Sequence, residues 1–169
     1  MKFSLSREAL LKPLQLVIGV VERRQTLPIL SNVLFSLSNK NLSITGTDLE
    51  VEIVGLTAVS ASEEEGSVTI SARKTLDICR SLPEGATLKF SSSEGKASIQ
   101  SGKSKFMLST LPASEFPTVD EGEKSLEFSV SGKDLQKLIE STSFAMAQQD
   151  VRYYLNGMLW ELTSGQIRT

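Results

Sequence analysis

FSVSGKDLQKLIE (128–140) repeats FSLSREALLKPLQ (3–15), and no other feature limits the fold of this chain as strongly. The offset is 125 residues, with Phe3/Phe128, Ser4/Ser129, Ser6/Ser131, Leu10/Leu135 and Lys12/Lys137 identical. Without a gap, the same offset sets Leu30 on Leu155, Leu34 on Leu159, Phe35 on Trp160 and Leu37 on Leu162. A self-match running through helix-like, turn-like and strand-like stretches marks the repetition of a whole domain. The chain therefore divides into a first domain, 1–124, with a Pro-containing connector over 111–125, and the start of a second over 125–169. Thr169 falls on Ile44, inside a strand of the first copy. The second copy is thus expected to be incomplete, and the chain to be a piece of a longer one.

Lys2–Leu5 alternates as a short strand. Ser6 then caps a helix whose Leu10, Leu14, Val17 and Val21 recur at helical spacing, and Pro13 predicts a kink or early break within it. Strands are predicted over 32–37, 41–45 and 49–54, and Ser62–Gly66 reads as a solvated acidic loop. A strand over 67–70 leads to a helix, Ala72–Leu82, stopped by Pro83 and Gly85; strands over 87–91, 96–100 and 104–110 follow. SLSREALL (4–11) also resembles TISARKTL (69–76), each a strand end, a cap and a helix. The first copy is therefore an α+β domain of two strand-helix-three-strand halves. In the second copy a helical pattern ends near Ala147, Gln148–Asp150 turns, and an alternating strand is predicted from Leu155 through Met158, Trp160 and Leu162. Tyr153 and Tyr154, with Arg152 beside them, stand at that junction. They read either as a stacking platform for bases, sugars and phosphates or as ordinary strand residues, one buried and one exposed.

The chain has no histidine and one cysteine. That excludes His-ligated zinc, Ser-His-Asp and Cys-His machinery, an intrachain disulfide and a thiolate cluster. Cys79 reads as a small apolar residue on a helix. The longest apolar run, Leu14–Val21, is interrupted by Gln15 and Gly19, too short and mixed to span a bilayer. With no signal-peptide pattern at MKFSLSREALLKPLQ, a cytoplasmic protein is expected. A net charge of −2 argues against gripping nucleic acid with the whole surface, though not against one basic stripe.

Such a stripe is written into the repeat. At 100° per residue, Leu10, Leu14 and Val17 share one helix face and Lys12 lies opposite. In the second copy Leu135, Ile139 and Thr142 share a face, with Lys133 and Lys137 opposite. Equivalent cations on equivalent helices suit a phosphate backbone that is touched without being read. The offset also sets Arg24 on Gln149, two long polar side chains in the turn after each copy's first helix. Two other functions stay open. Asp48, Glu50 and Glu52 alternate on a predicted strand, where they could hold a metal ion for phosphoester chemistry or simply form an acidic surface. A repeat protein that binds only other proteins is the third possibility.

Six ordered blocks carry a resemblance: ALLKPLQ (9–15), TLPIL (26–30), SITGTDLE (43–50), ARKTLDICRSLPEG (72–85), KFMLSTLPASEFP (105–117) and AQQDVRYYLNGML (147–159). Together they resemble the bacterial DNA polymerase III beta-subunit family, the replicative sliding clamps. The resemblance implies a clamp fold with helices on one face of the sheets, three such domains per subunit and two subunits per ring around duplex DNA. It implies a non-catalytic processivity subunit with no cofactor or metal, whose partners are double-stranded DNA, DNA polymerase III and the clamp loader. Arg24, Arg73, Gln149, Tyr153 and Tyr154 match family positions that touch DNA. Lys74, Ile78, Phe106 and Leu108 match the region that meets the other subunit, with Ile78 expected on the exposed side of its helix. An unpaired strand edge is expected near Ser104–Ser109, and another at Leu159–Ile167. Leu155 matches the edge of the pocket for partner peptides.

Overall fold

A computed structural model describes residues 1–21, 27–119 and 127–169. The chain forms two compact units, 1–120 and 121–169.

In the first unit, β1 (Lys2–Ser6) runs into α1 (Arg7–Val17) through Ser6, whose hydroxyl accepts the Ala9 N–H at 3.2 Å. Then come β2 (Asn32–Ser38), β3 (Asn41–Thr47), β4 (Glu52–Ala58), β5 (Ala61–Glu64) and β6 (Gly66–Ser71). After α2 (Ala72–Ser81) follow β7 (Thr87–Ser93), β8 (Lys96–Ser101) and β9 (Ser104–Leu111). The nine strands are ordered β4-β3-β2-β6-β9-β8-β7-β1-β5 and every pairing is antiparallel. The two halves exchange their opening strands: β1 pairs with β7 of the second half, and β6 with β2 of the first. Neither half can close a sheet without the other, which is why they make one core. Phe90 lies at its centre, stacked on Phe3 at 4.8 Å and tilted against Phe35 at 5.6 Å.

Four sequence expectations need correction here. Of the kink or early break expected at Pro13, the break does not occur: α1 continues to Val17. Gly55 on β4 makes room for the ring, since a Cβ there would stand 2.6 Å from Pro13 Cβ. The third strand begins at Glu52 rather than at residue 49. Asp48 Oδ1 accepts the N–H groups of Glu50 at 3.0 Å and Val51 at 2.7 Å, and Thr47 Oγ1 accepts that of Leu49 at 3.0 Å. Side-chain oxygens thus satisfy backbone donors that a strand would have used. Most of the expected acidic loop is β5, an edge strand paired with β1. Charge suits such an edge, and the Met1 amino group lies 3.3 Å from the Glu64 carboxylate. Finally, Ile78 is buried on α2 together with Ala72, Thr75, Leu76 and Cys79. The buried stripe is wider than the sequence pattern suggested, and its boundary falls between Ile78 and exposed Lys74.

The second unit reproduces the start of the first in detail. α3 (Gly132–Thr142) occupies the α1 positions plus 125, and Ser131 caps it as Ser6 caps α1. Single 3-10 turns at Ile18–Val20 and Pro28–Ser31 recur at Ser143–Ala145 and Tyr153–Asn156. The hairpin of β10 (Glu161–Thr163) and β11 (Gln166–Arg168) pairs Leu162 with Ile167, as β2 and β3 pair Leu37 with Leu42. The expected strand from Leu155 shrinks to β10, because Tyr153–Asn156 follows the 3-10 turn of its counterpart and not a ladder. Burial is not reproduced. Leu14 is 1% exposed but its counterpart Ile139 is 39% exposed, so of the expected apolar face of α3 only Leu135 and Thr142 are partly buried. Phe128, Val130, Leu138, Leu162 and Ile167 line an open apolar cleft of about 710 Å³.

Candidate nucleic-acid interface

α1 and α2 turn their apolar stripes to the core, and all three helices turn cations to solvent. Lys12 on α1, Arg73 and Lys74 on α2, and Lys133 and Lys137 on α3 are all exposed. Among the described residues none of the five is ion-paired. An unpaired surface cation keeps its full charge for an outside anion. Arg7, in contrast, is drawn inward, with Nε donating to the Cys79 carbonyl at 2.7 Å and the guanidinium 3.1 Å from Glu8, and it fastens α1 to α2. Arg24 lies outside the described residues.

The second unit places Gln149, Tyr153 and Tyr154 on one closed loop. The Ala147 N–H donates to the Leu155 carbonyl at 2.9 Å and ties its two ends. Inside it, Asp150 accepts the Arg152 backbone N–H at 2.8 Å and its guanidinium at 2.9 and 3.0 Å. The Arg152 side chain, more than any other group, holds the Asp150 carboxyl below the usual aspartate range. Arg152 is therefore occupied, and does not act as the free cation beside the tyrosines. Tyr153 and Tyr154 are 83% and 67% exposed, with rings edge-on at 6.1 Å and 78°. Neither is the buried half of a strand pair. Exposed tyrosine faces can stack on bases or lie against sugars. Gln149 is exposed, at a left-handed φ of 58°. Leu155, 37% exposed, sits in the same 3-10 turn.

A different surface surrounds β9. Residues 104–109 pair with β8, whereas β6 takes only Thr110 and Leu111. The other side of 104–109 thus has no ladder partner among the described residues. Leu108 is buried, Phe106 packs on the core rim, and Met107 is 56% exposed on the opposite face. Both outer sides of the β10–β11 hairpin are likewise unpaired among the described residues.

The carboxylate row is not assembled. Asp48 and Glu50 lie in the turn before β4 and only Glu52 is on the strand, where it accepts the Val119 N–H at 3.2 Å. Two backbone N–H groups, of Val51 and then Glu50, hold Asp48 below the ordinary carboxylate range as a turn anchor. Among the described residues no group of three His, Cys, Asp or Glu could hold a metal ion, and no helix is long and apolar enough to cross a membrane. Sequence reasoning missed Asn156, whose amide closes the tyrosine loop. The available signal was Asp150-Val151-Arg152 followed by Asn156-Gly157, a turn-forming aspartate and asparagine flanking the tyrosines.

Residues 1–120 match the family described as DNA polymerase III beta subunit, N-terminal domain, and residues 129–169 match its central domain. Over 169 residues the chain is 57% identical to the beta sliding clamp of Pseudomonas aeruginosa and 49% identical to that of Escherichia coli K12. Each match covers 100% of this chain and 46% of the relative, so the chain spans about half the length of either. A crystal structure of the Pseudomonas aeruginosa sliding clamp with ligand matches at TM-score 0.94 and 56% identity, covering 99% of this chain and 45% of that one. The Caulobacter crescentus pol III beta structure matches at TM-score 0.90 and 38% identity, covering 99% and 45%. The fold is the clamp fold.

Proposed function

The chain belongs to the bacterial DNA polymerase III beta-subunit family, and on that footing we propose that it is part of a sliding clamp. The whole protein would encircle duplex DNA as a ring dimer and tether the replicative polymerase. The observation that carries this reading is the set of exposed, unpaired cations on equivalent helix faces, Lys12 and Lys137 above all. They sit in a chain whose net charge is −2. Retention in this reading comes from closure around the duplex, while each phosphate contact stays weak and indifferent to sequence. Tethering raises the polymerase's effective concentration at the primer end, so the clamp has no catalytic task of its own. Arg24, Arg73, Gln149, Tyr153 and Tyr154 touch the DNA, with Lys12, Lys133 and Lys137 as further cations of the inner face.

The sheet edges supply the joints. β4 and β9 are the last strands of their halves, and among the described residues each leaves a backbone side unpaired. Two unlike edges on one domain allow head-to-tail contacts, which close into rings. Lys74, Phe106 and Leu108 border the β9 edge, and that joint meets the other subunit. Ile78 supports it from within the core. Leu155 lies at the rim of the site for polymerase and clamp-loader peptides. Work on chromosomal DNA places the protein in the cytoplasm.

The test replaces Arg24 and Gln149 by Ala in the full-length protein. Loading onto primed circular DNA and duplex affinity should both fall, with the melting temperature kept. Unchanged loading and affinity would remove both residues from the interface.

A further inference from the structure

Gln149, Tyr153 and Tyr154 could stand on a loose surface loop, but the structure closes the loop with the half-buried side chain of Asn156. The Asp150 N–H donates to Asn156 Oδ1 at 3.0 Å, and Asn156 Nδ2 donates to the Asp150 carbonyl at 3.1 Å. One amide thus reproduces both hydrogen bonds that a paired strand residue would offer. Asn156 is half-buried, so these bonds are sheltered from competing water. The Ala147–Leu155 bond and the Leu155 N–H to Arg152 carbonyl bond, both 2.9 Å, complete the closure.

The backbone inside this clamp is strained. Gln149 holds φ at 58°, a region that costs a residue with a Cβ roughly 1 kcal/mol or more. Such a conformation persists only where its surroundings over-determine it. Asn156 and the Asp150–Arg152 fork do so from the next residue on. Val151, at the loop tip, is 96% exposed, so burial of the tip supplies nothing in their place. At the position of the first copy equivalent to Asn156, Ser31 donates instead to the Pro28 carbonyl, within its own turn, at 2.7 Å.

We propose that Asn156 is a positioning residue for DNA binding: it fixes the 147–156 loop so that Gln149, Tyr153 and Tyr154 are presented to the duplex already ordered. This rests on the DNA-facing role given above to those three residues. A loop ordered before binding does not spend interaction energy on its own ordering.

The experiment is a mutant cycle in the full-length protein, with duplex affinity measured at low salt on random-sequence DNA. The variants are Asn156→Ala, the triple variant Gln149→Ala/Tyr153→Ala/Tyr154→Ala, and their combination. Asn156→Ala should weaken binding about five- to tenfold, the effect of losing one or two hydrogen bonds. In the triple background it should have no further effect, because nothing remains to position. Hydrogen exchange at the Asp150 and Leu155 amides should rise in Asn156→Ala, with the rest of the second unit unchanged. If Asn156→Ala unfolds that unit, Asn156→Ser serves instead, since serine stands at this place in the first copy, carries no charge and is too short to make both bonds to Asp150. Wild-type affinity for the Asn156 variant beside a weakened triple variant would overturn the proposal and leave the DNA-facing reading intact. An equal loss in both backgrounds would make Asn156 merely structural and overturn it as well. A triple variant that binds like wild type would instead sink the DNA-facing reading, and the proposal with it.

Discussion

Replacing Gly55 by Ala tests how α1, the carrier of Lys12, is seated on the sheet. A methyl group at residue 55 would stand 2.6 Å from Pro13 Cβ, 3.1 Å from its Cα and 3.3 Å from its carbonyl oxygen. None of these is the tip of a flexible side chain. Two belong to the backbone and the third to a ring without rotamer freedom. Relief must come from moving helix and strand apart, which also lifts Leu14 and Val17, 1% and 0% exposed, from their neighbours. Overpacking of this kind costs about 1–3 kcal/mol. Because β4 is a terminal strand and can yield, about 2 kcal/mol is expected, a fall in melting temperature of roughly 6–12 °C for a domain of this size. Gly19→Ala is the matched control, since a Cβ there meets nothing within 4 Å. Its stability should stay within about 0.5 kcal/mol of wild type. Thermal and urea denaturation of both variants decide the matter. A Gly55→Ala protein as stable as the control would refute the seating of Pro13 on β4.

In the full-length protein, changing Lys12, Lys133 and Lys137 together to Gln should leave the fold intact and flatten the salt dependence of duplex binding by about 0.9 for each phosphate no longer neutralised; an unchanged slope would take these lysines out of the interface. Burial pushes the Cys79 thiol up to about 11, so a maleimide should label it at pH 7.5 only after denaturation, and rapid labelling of the native protein would contradict its packing. The Asp150 carboxyl is held low, chiefly by the Arg152 side chain, so its contribution is present above the unfolded value of about 4 and is lost as pH falls through the lower folded value. Hydrogen exchange of the Arg152 amide should therefore stay equally protected, after correction for intrinsic rates, from pH 8 to pH 5 and lose protection only below about pH 4. Loss between pH 8 and pH 6 would show that another group holds the loop.

Elements governed by local rules were legible in the sequence. Ser6 and Ser131 cap their helices because each is a serine before an amphipathic run, and both caps form. The strands expected over 32–37 and 41–45 form as β2 and β3, joined by the two-residue turn Asn39-Lys40. What failed depended on partners distant in sequence. Pro13 reads as a helix breaker until Gly55 is placed beneath it. Ile78 reads as exposed until α2 is packed, and Ser62–Glu64 as a loop until β1 offers an edge. Asp48 and Glu50 do not share a face with Glu52 because a hydrogen-bonded turn replaces the first residues of the predicted strand. At the candidate site, exposure of Lys12, Lys133 and Lys137 follows from the helix wheel, but the closed loop under Tyr153 does not. It depends on an asparagine six residues from its partner, which no periodicity announces.

For the proposed clamp a net charge of −2 on this chain poses a physical problem, because long-range attraction to the duplex is weak or absent. Concentrating cations on helix faces solves it locally: within a Debye length of about 8 Å only the near charges count. Glu63 and Glu64 lie on edge strand β5 and Glu65 directly after it, while Lys12, Lys133 and Lys137 are exposed on their helices. Such an arrangement gives contact without strong affinity, and contacts of that kind do not resist movement along the backbone. In the proposed clamp retention then comes from elsewhere, and among the described residues the nine-stranded sheet leaves backbone hydrogen bonds unused at β4, at β5 and along one side of 104–109 on β9. Weak helix-face contacts and strong edge-to-edge joints are complementary demands on one domain. Antiparallel sheets meet both, with one face for the helices and free edges for the neighbouring domains.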